Sequence, residues 1–301
     1  MTTAAAPDPE WMSRPERGAT IVIKTFVWIA LHLGRRAVRP LLYPICLYFL
    51  VFSTASRRAS SDYLTRALGR KPGFVDQFRH YHAFAACLLD RIFLLNNQIG
   101  LLDIRAEGED FADEILASGR GCLLVGAHLG SFEVLSALGA RRSDLRVSLV
   151  MYEENARKIN TALNAINPAH KIEIISLGQF DSILRIETKL AQGEFVGMLA
   201  DRGLDGERQM RVPFLGADAA FPLGPFRIAA MLKCPIILMV ALYRGGGRYD
   251  VHFDRLMDPA TDVAADHPLL VETAIRLYVE KLEHYCRSAP YNWFNFYDFW
   301  K

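Results

Sequence analysis

Gly121-Cys122-Leu123-Leu124-Val125-Gly126-Ala127-His128-Leu129-Gly130-Ser131-Phe132-Glu133, with an apolar run over 134–138 behind it, decides how the chain is read. A short run of Cys, Leu and Val bounded by glycines is the pattern of a buried strand, and 131–140 then reads as a helix entered through a tight turn. His128 stands at the end of that strand. Glu133 follows five residues later, and on one continuous helix the two side chains would point about 140° apart at roughly 100° per residue. A strand, a turn at Gly130 and a first helical turn bring them together instead. Gly126 and Gly130 permit that bend and let a substrate come close to the backbone. An imidazole held by a carboxylate can take the proton of a hydroxyl as it attacks an ester or thioester, while the carboxylate fixes the tautomer and favours the imidazolium. Ser131 is near, but a nucleophile elbow needs Ser where this sequence has His, so His128 reads as a base with no covalent enzyme intermediate. The same residues also fit a structural histidine hydrogen-bonded near a helix start.

With 301 residues, 51% of them hydrophobic, the chain can bury one large core or two smaller ones, and the regular spacing of its elements favours one domain. A formal charge of +2 from 35 basic and 33 acidic residues does not argue for nucleic acid, so any anion preference rests on local clusters. Cys46, Cys87, Cys122, Cys234 and Cys286 are widely spaced in mostly apolar surroundings, which reads as reduced, buried thiols of a cytoplasmic compartment. The eight histidines show neither His-x-x-x-His nor His-Glu-x-x-His, so no metal site is predicted.

Residues 1–18 read as a polar tail. Residues 19–58 hold two apolar runs, 19–33 and 41–52, with Arg35, Arg36 and Arg39 between them and Arg57 and Arg58 behind. Neither run matches the roughly 20 apolar residues of a clean spanning helix, and the arginines would be costly at the middle of a bilayer. The expectation is two helices lying in or dipping into a membrane leaflet, with arginines on lipid phosphates, against the alternative of a soluble apolar helical hairpin. No small-residue cleavage site follows a basic region, so no removed signal peptide is expected.

Residues 59–301 read as the main domain. Helices are predicted from residue 60 to 97, broken at Lys71-Pro72-Gly73. Strands at 146–151, 172–175 and 195–200 alternate with helices at 155–166 and 180–192, and Gly245-Gly246-Gly247 joins 236–243 to 249–253 as an antiparallel hairpin. The expected fold is α/β, a mixed central sheet flanked by helices, with an N-terminal membrane-associated helical region. His128 and Asp201 both end strands and would share the edge where such sheets collect ligands. After Asp201 the loop carries Arg202, Arg208 and Arg211, whose guanidinium forks suit phosphate oxygens, although a solvated charged loop reads the same way. Residues 219–227 read as the opening of a helix. The last eleven residues carry seven aromatics, which read as packing onto the sheet or helices.

His128-Leu129-Gly130-Ser131-Phe132-Glu133 resembles the first motif, His followed by four residues and an acidic one, of the lysophospholipid acyltransferase superfamily. Glu in place of the commoner Asp resembles its lipid A biosynthesis (late) branch. The likeness continues in order through 199–206, Val212-Pro213-Phe214-Leu215-Gly216, the strand after Pro235 and the aromatic C-terminus, and covers nearly the whole chain after about residue 20. It implies a membrane-associated O-acyltransferase on the cytoplasmic side of the cell inner membrane. Such an enzyme moves a fatty acyl group from acyl carrier protein or coenzyme A, co-substrates rather than cofactors, to a hydroxyl of a lipid or a lipid A-like glycolipid. It further implies a catalytic His128 and Glu133 dyad, substrate binding by Asp201, Arg202, Arg208 and Arg211, Phe214 on the acyl channel and a turn at Gly216. In that branch a Tyr-Arg pair commonly follows the next strand. Here Tyr152 is followed by Glu153, with Arg157 one helical turn beyond as the substitute. The acceptor therefore stays open. An acyl ester or thioester hydrolase using the same dyad and a non-catalytic membrane lipid-binding protein also fit these residues.

Overall fold

A strand without a polar side chain is satisfied only inside a sheet covered on both faces. In the computed structural model Cys122–Gly126 is such a strand, buried at every position. The structure describes residues 17–139, 145–152, 163–164, 166–167, 173–178, 181–203, 206–262 and 267–300. The described strands are β1 (Asp103–Glu107), β2 (Cys122–Gly126), β3 (Val147–Tyr152), β4 (Ile174–Leu177), β5 (Phe195–Leu199), β6 (Gln209–Phe214), β7 (Ala217–Pro222), β8 (Ile236–Gly245) and β9 (Arg248–Met257). The helices are α1 (Arg17–Leu33), α2 (Arg35–Val38), α3 (Leu42–Phe52), α4 (Thr54–Leu68), α5 (Phe74–Leu95), α6 (Asp110–Ala117), α7 (Phe132–Gly139), α8 (Ser182–Ala191), α9 (Gly224–Met231) and α10 (His267–Ser288).

Among the described residues seven strands form one sheet in the order β1-β9-β8-β2-β5-β3-β4. β8, β2, β5, β3 and β4 run parallel, while β9 pairs antiparallel with β8 and parallel with β1, so the sheet is mixed. Side chains alternate between the two faces. Leu123, Val125, Leu238 and Val240 join the core beneath α4, α8, α9 and α10, and Cys122, Leu124, Ile237 and Met239 join the core beneath α5, α6 and α7. All five cysteines are free and buried.

Residues 217–222 are a strand, not the start of a helix. They pair antiparallel with β6 across a two-residue turn at Leu215 and Gly216, both with positive φ, 49° and 82°. Mirror-image turns of this kind match the twist of a hairpin, and their usual marker is Asn-Gly or Asp-Gly. Leu215 holds the conformation because it is buried and because its N–H donates to Glu283 Oε2 at 2.6 Å. The helix expected over 155–166 falls largely outside the described residues.

The N-terminal arginines do not all face outward. Arg35 is buried, with Nε and Nη2 donating to the two oxygens of fully buried Asp90 at 2.6 and 3.0 Å. Its Nη1 donates to the Gly246 carbonyl, Tyr249 O–H donates to Asp90 Oδ2 at 2.9 Å, and Arg39 donates to the Tyr243 hydroxyl. This cluster ties α2 to α5 and to the β8–β9 hairpin, while Val27, Ala30, Val38 and Leu42 enter the same core as β2 and β8. Among the described residues no single helix is long and apolar enough to cross a membrane. The run Arg35–Phe52 with Thr54–Leu68 meets the test of length and composition together but is bent by 96°. Tyr48, Phe49 and Phe52 of α3, Trp28 of α1, and Phe74 and Val75 at the start of α5 are each at least half exposed.

Removing one member of a buried ion pair strands the other without compensation, at a cost of about 3 to 5 kcal/mol. Arg35→Met and Asp90→Leu should each lose stability on that scale in chemical denaturation, and the double variant should recover most of it.

Candidate active site

The register of two neighbouring strands builds the site. β2 and β5 pair with Gly126 opposite Leu199, and His128 and Asp201 are each the second residue beyond that pair. His128 Nδ1 lies 2.9 Å from Asp201 Oδ1, and the His128 backbone N–H donates to Oδ2 at 3.0 Å. The Trp293 indole N–H donates to the same Oδ2 at 3.1 Å. Burial alone would raise the pKa of Asp201. The charge and hydrogen bond of His128, with the nearby Arg202 charge, outweigh it and hold the carboxyl well below the usual carboxylate range. An ionised carboxylate only accepts, so Nδ1 carries a proton and Nε2 is the nitrogen left to act as a base. The His128 side chain is 34% exposed, whereas Asp201 is fully buried.

Glu133 goes elsewhere. It pairs with Arg91 at 2.6 Å and accepts the Ser131 hydroxyl at 3.3 Å. Among the described residues, then, the carboxylate hydrogen-bonded to His128 is that of Asp201. The bend after His128 sets this outcome. Gly130 has φ +72°, and a Cβ there would lie 1.8 Å from the Ala241 carbonyl oxygen, so the chain is pressed onto β8. Ser131 N–H then donates to Ala241 O at 2.9 Å, and α7 starts with Glu133 directed to α5.

The C-terminal segment closes the other side. Gly130 N–H donates to Asn292 O at 2.9 Å, Phe294 N–H donates to His128 O at 2.7 Å, and Leu129 bridges antiparallel to Trp293. The Asn292 side chain accepts from Tyr243 N–H at 2.7 Å and donates to Tyr243 O at 3.1 Å, clamping the segment to β8. Behind it, His80 is buried, with Nε2 at 2.8 Å from Trp293 O and Nδ1 at 2.8 Å from Ser60 Oγ. Burial pushes its pKa down to about 4, so the ring is neutral. A carbonyl can only accept, so Nε2 carries the proton and Nδ1 accepts from Ser60.

Arg202 sits beside this segment. Its Nη2 donates to Phe294 O at 3.0 Å, its guanidinium lies 5.1 Å from the Tyr297 ring centroid, and its Nε is buried without a hydrogen-bond partner among the described residues. Arg208 and Arg211 are exposed, and neither bonds His128, Asp201 or Arg202 among the described residues. Phe214 is fully buried and packs its ring against Phe221, Trp293, Phe299 and Trp300. Gly216 occupies the exposed turn of the β6–β7 hairpin. Arg157 and Glu153 lie outside the described residues. Tyr152 donates its hydroxyl to Glu207 Oε2 at 2.8 Å, and Glu207 Oε1 lies 2.7 Å from where a Cβ on Gly224 would stand, at the start of α9.

On the α6–α7 side of the sheet an apolar cavity of about 200 Å³ is lined by Leu116, Leu124, Phe132, Leu135, Phe195 and Met239 among others. At roughly 30 Å³ per water-sized volume it has room for about six or seven such groups. Phe132 places its wall four residues after His128. Among the described residues no group of three or more His, Cys, Asp and Glu is arranged to hold a metal ion.

The chain belongs to the bacterial lipid A biosynthesis acyltransferase family, whose model matches residues 12–301. No curated protein matches it significantly. Membership supports an acyltransferase-like activity in general.

His80 generates a measurable dependence on acid. Its folded pKa of about 4 lies below the ordinary 6.5, so between these values the unfolded chain binds more protons and stability falls as pH falls. The contribution is complete above pH 6.5 and declines by about 3 kcal/mol toward pH 4. Denaturation midpoints measured across that window should fall in the parent chain, and His80→Gln should remove that part of the slope.

Proposed function

We propose that this member of the family is an O-acyltransferase in which His128, oriented by Asp201, is the general base. The observation that carries the reading is the 2.9 Å hydrogen bond between His128 Nδ1 and buried Asp201, on a side chain that is 34% exposed. His128 Nε2 takes the proton of an acceptor hydroxyl as its oxygen attacks the carbonyl carbon of an acyl thioester. The tetrahedral oxyanion collapses, the C–S bond breaks, and the imidazolium returns its proton to the leaving thiolate, which restores neutral His128. The product is an ester and a free thiol of acyl carrier protein or coenzyme A. Asp201 stabilises the imidazolium throughout, which is the role the motif spacing suggested for Glu133. Glu133, paired with Arg91 and Ser131, holds the first turn of α7 beside the base.

Arg202 supplies the anion contact. Its buried Nε–H has paid desolvation without a partner among the described residues, and a phosphate oxygen of donor or acceptor recovers that cost. The acyl chain takes the apolar cavity behind Phe132. The acceptor is a lipid or glycolipid hydroxyl, of the lipid A type in keeping with the family. It is reached from the cytoplasmic leaflet of the inner membrane, on which the exposed aromatics of α1, α3 and the start of α5 rest.

Two measurements test this. His128→Ala should lower transfer from an acyl thioester by at least about a hundredfold while the protein stays folded, and retained transfer overturns the reading. Mass spectrometry of total lipids and glycolipids from deletion, parent and His128→Ala strains should show one acylated species missing from the first and third, which identifies acceptor and chain. Separately, Phe49→Ser/Phe52→Ser should weaken sedimentation with anionic lipid vesicles, without lowering transfer to a detergent-dispersed acceptor.

A further inference from the structure

We propose that the Trp293 indole N–H is a positioning group for the His128–Asp201 pair, so that the aromatic C-terminal segment is a working part of the active centre. This rests on the assignment of His128 as base. Both oxygens of Asp201 are used: Oδ1 takes the His128 ring, and Oδ2 takes the His128 backbone N–H and the Trp293 indole. A carboxylate turns about its Cβ–Cγ bond unless both oxygens are held. The His128 amide belongs to the same residue as the ring it would align, so it holds Oδ2 only relative to that residue. The indole arrives from a segment 92 positions away and fixes the plane of the carboxylate against the rest of the fold.

Trp293 is built as a rigid arm. It is fully buried, with ring centroids of Phe299, Tyr63 and Phe214 at 4.8, 5.0 and 5.3 Å, all edge-on. Its carbonyl is held by neutral His80, itself held by Ser60. The segment around it is paired to residues 128–130 through two backbone hydrogen bonds, from Gly130 and from Phe294. Moving the indole away from Oδ2 therefore requires breaking the contacts of α4, α5 and the His128 loop together. Among the described residues the charged and titratable groups that face Asp201 are His128, Arg202, Tyr278, Cys286 and Tyr297; the Tyr278 hydroxyl donates to Gly126 O, and Tyr297 lies against Arg202. Of the side chains around Asp201, the Trp293 indole and the His128 ring are those hydrogen-bonded to its carboxylate among the described residues.

Two replacements separate the N–H from the ring. Trp293→Phe keeps an aromatic side chain, and 3-benzothienylalanine at position 293 keeps the bicyclic shape with sulfur in place of N–H. Loss of a hydrogen bond to a charged acceptor should lower kcat roughly tenfold to a hundredfold with KM nearly unchanged. ¹⁵N-histidine spectra should show the His128 Nδ1–H signal displaced or broadened, because the Asp201 carboxylate that accepts it is free to turn. Tryptophan introduced by the same suppression route should restore parent values. A folded benzothienyl protein with parent kcat and a parent His128 Nδ1–H signal overturns the proposal, even if Trp293→Phe fails to fold. Its failure is distinct from that of the assignment it rests on. If His128→Ala retains transfer while the benzothienyl protein still displaces the His128 Nδ1–H signal, the base assignment falls and the positioning contact stands.

Discussion

A fully buried carboxylate is the demand to which the rest of this structure answers. Taking an ionised Asp out of water costs several kcal/mol unless every oxygen finds donors. Asp201 finds three, two from His128 and one from Trp293. They arrive from positions 73 and 92 residues away, so the carboxylate is satisfied only when β2, β5 and the C-terminal segment have all met. The contact that holds the proposed base in its tautomer is therefore also a check on correct assembly of the sheet edge.

The opposite face of the sheet repeats the same logic with Asp90. Arg35 answers it from the N-terminal helices and Tyr249 from the β9 strand. That buried pair makes the N-terminal layer continuous with the core, so the exposed aromatics of α1 and α3 are carried on a rigid support. Under the proposed function, the distance between that face and the site is set by packing and not by a linker. This packing also accounts for two of the basic residues between the apolar runs: Arg35 is buried on Asp90 and half-buried Arg39 bonds the Tyr243 hydroxyl, whereas Arg36 remains exposed.

Much of the fold could be read from local pattern. The all-apolar run at 122–126, the helix break at Lys71-Pro72-Gly73 and the glycine hairpin near 246 each express a constraint within a few residues. The β6–β7 hairpin escaped because its turn is Leu-Gly in place of Asn-Gly, and because Ala219 and Ala220 favour a helix. What holds Leu215 at positive φ is burial and Glu283, neither of them local. The surroundings of Phe214 stayed hidden for a similar reason. An aromatic residue beside a basic loop fits a channel wall as well as a core, and its burial against Trp293 depends on a segment about 80 residues later.

The candidate site divides along the same line. Composition and periodicity sufficed to set His128 and Asp201 at the ends of two strands of an α/β sheet, because strand patterns and glycine turns are short-range. They could not say which carboxylate would hold the histidine, since Glu133 is close in sequence and Asp201 is not. That choice was made by the pairing of Gly126 with Leu199 and by the pressing of Gly130 onto Ala241. Both are backbone contacts between distant strands, where one residue of slip would present a different side chain, and no local pattern encodes the register.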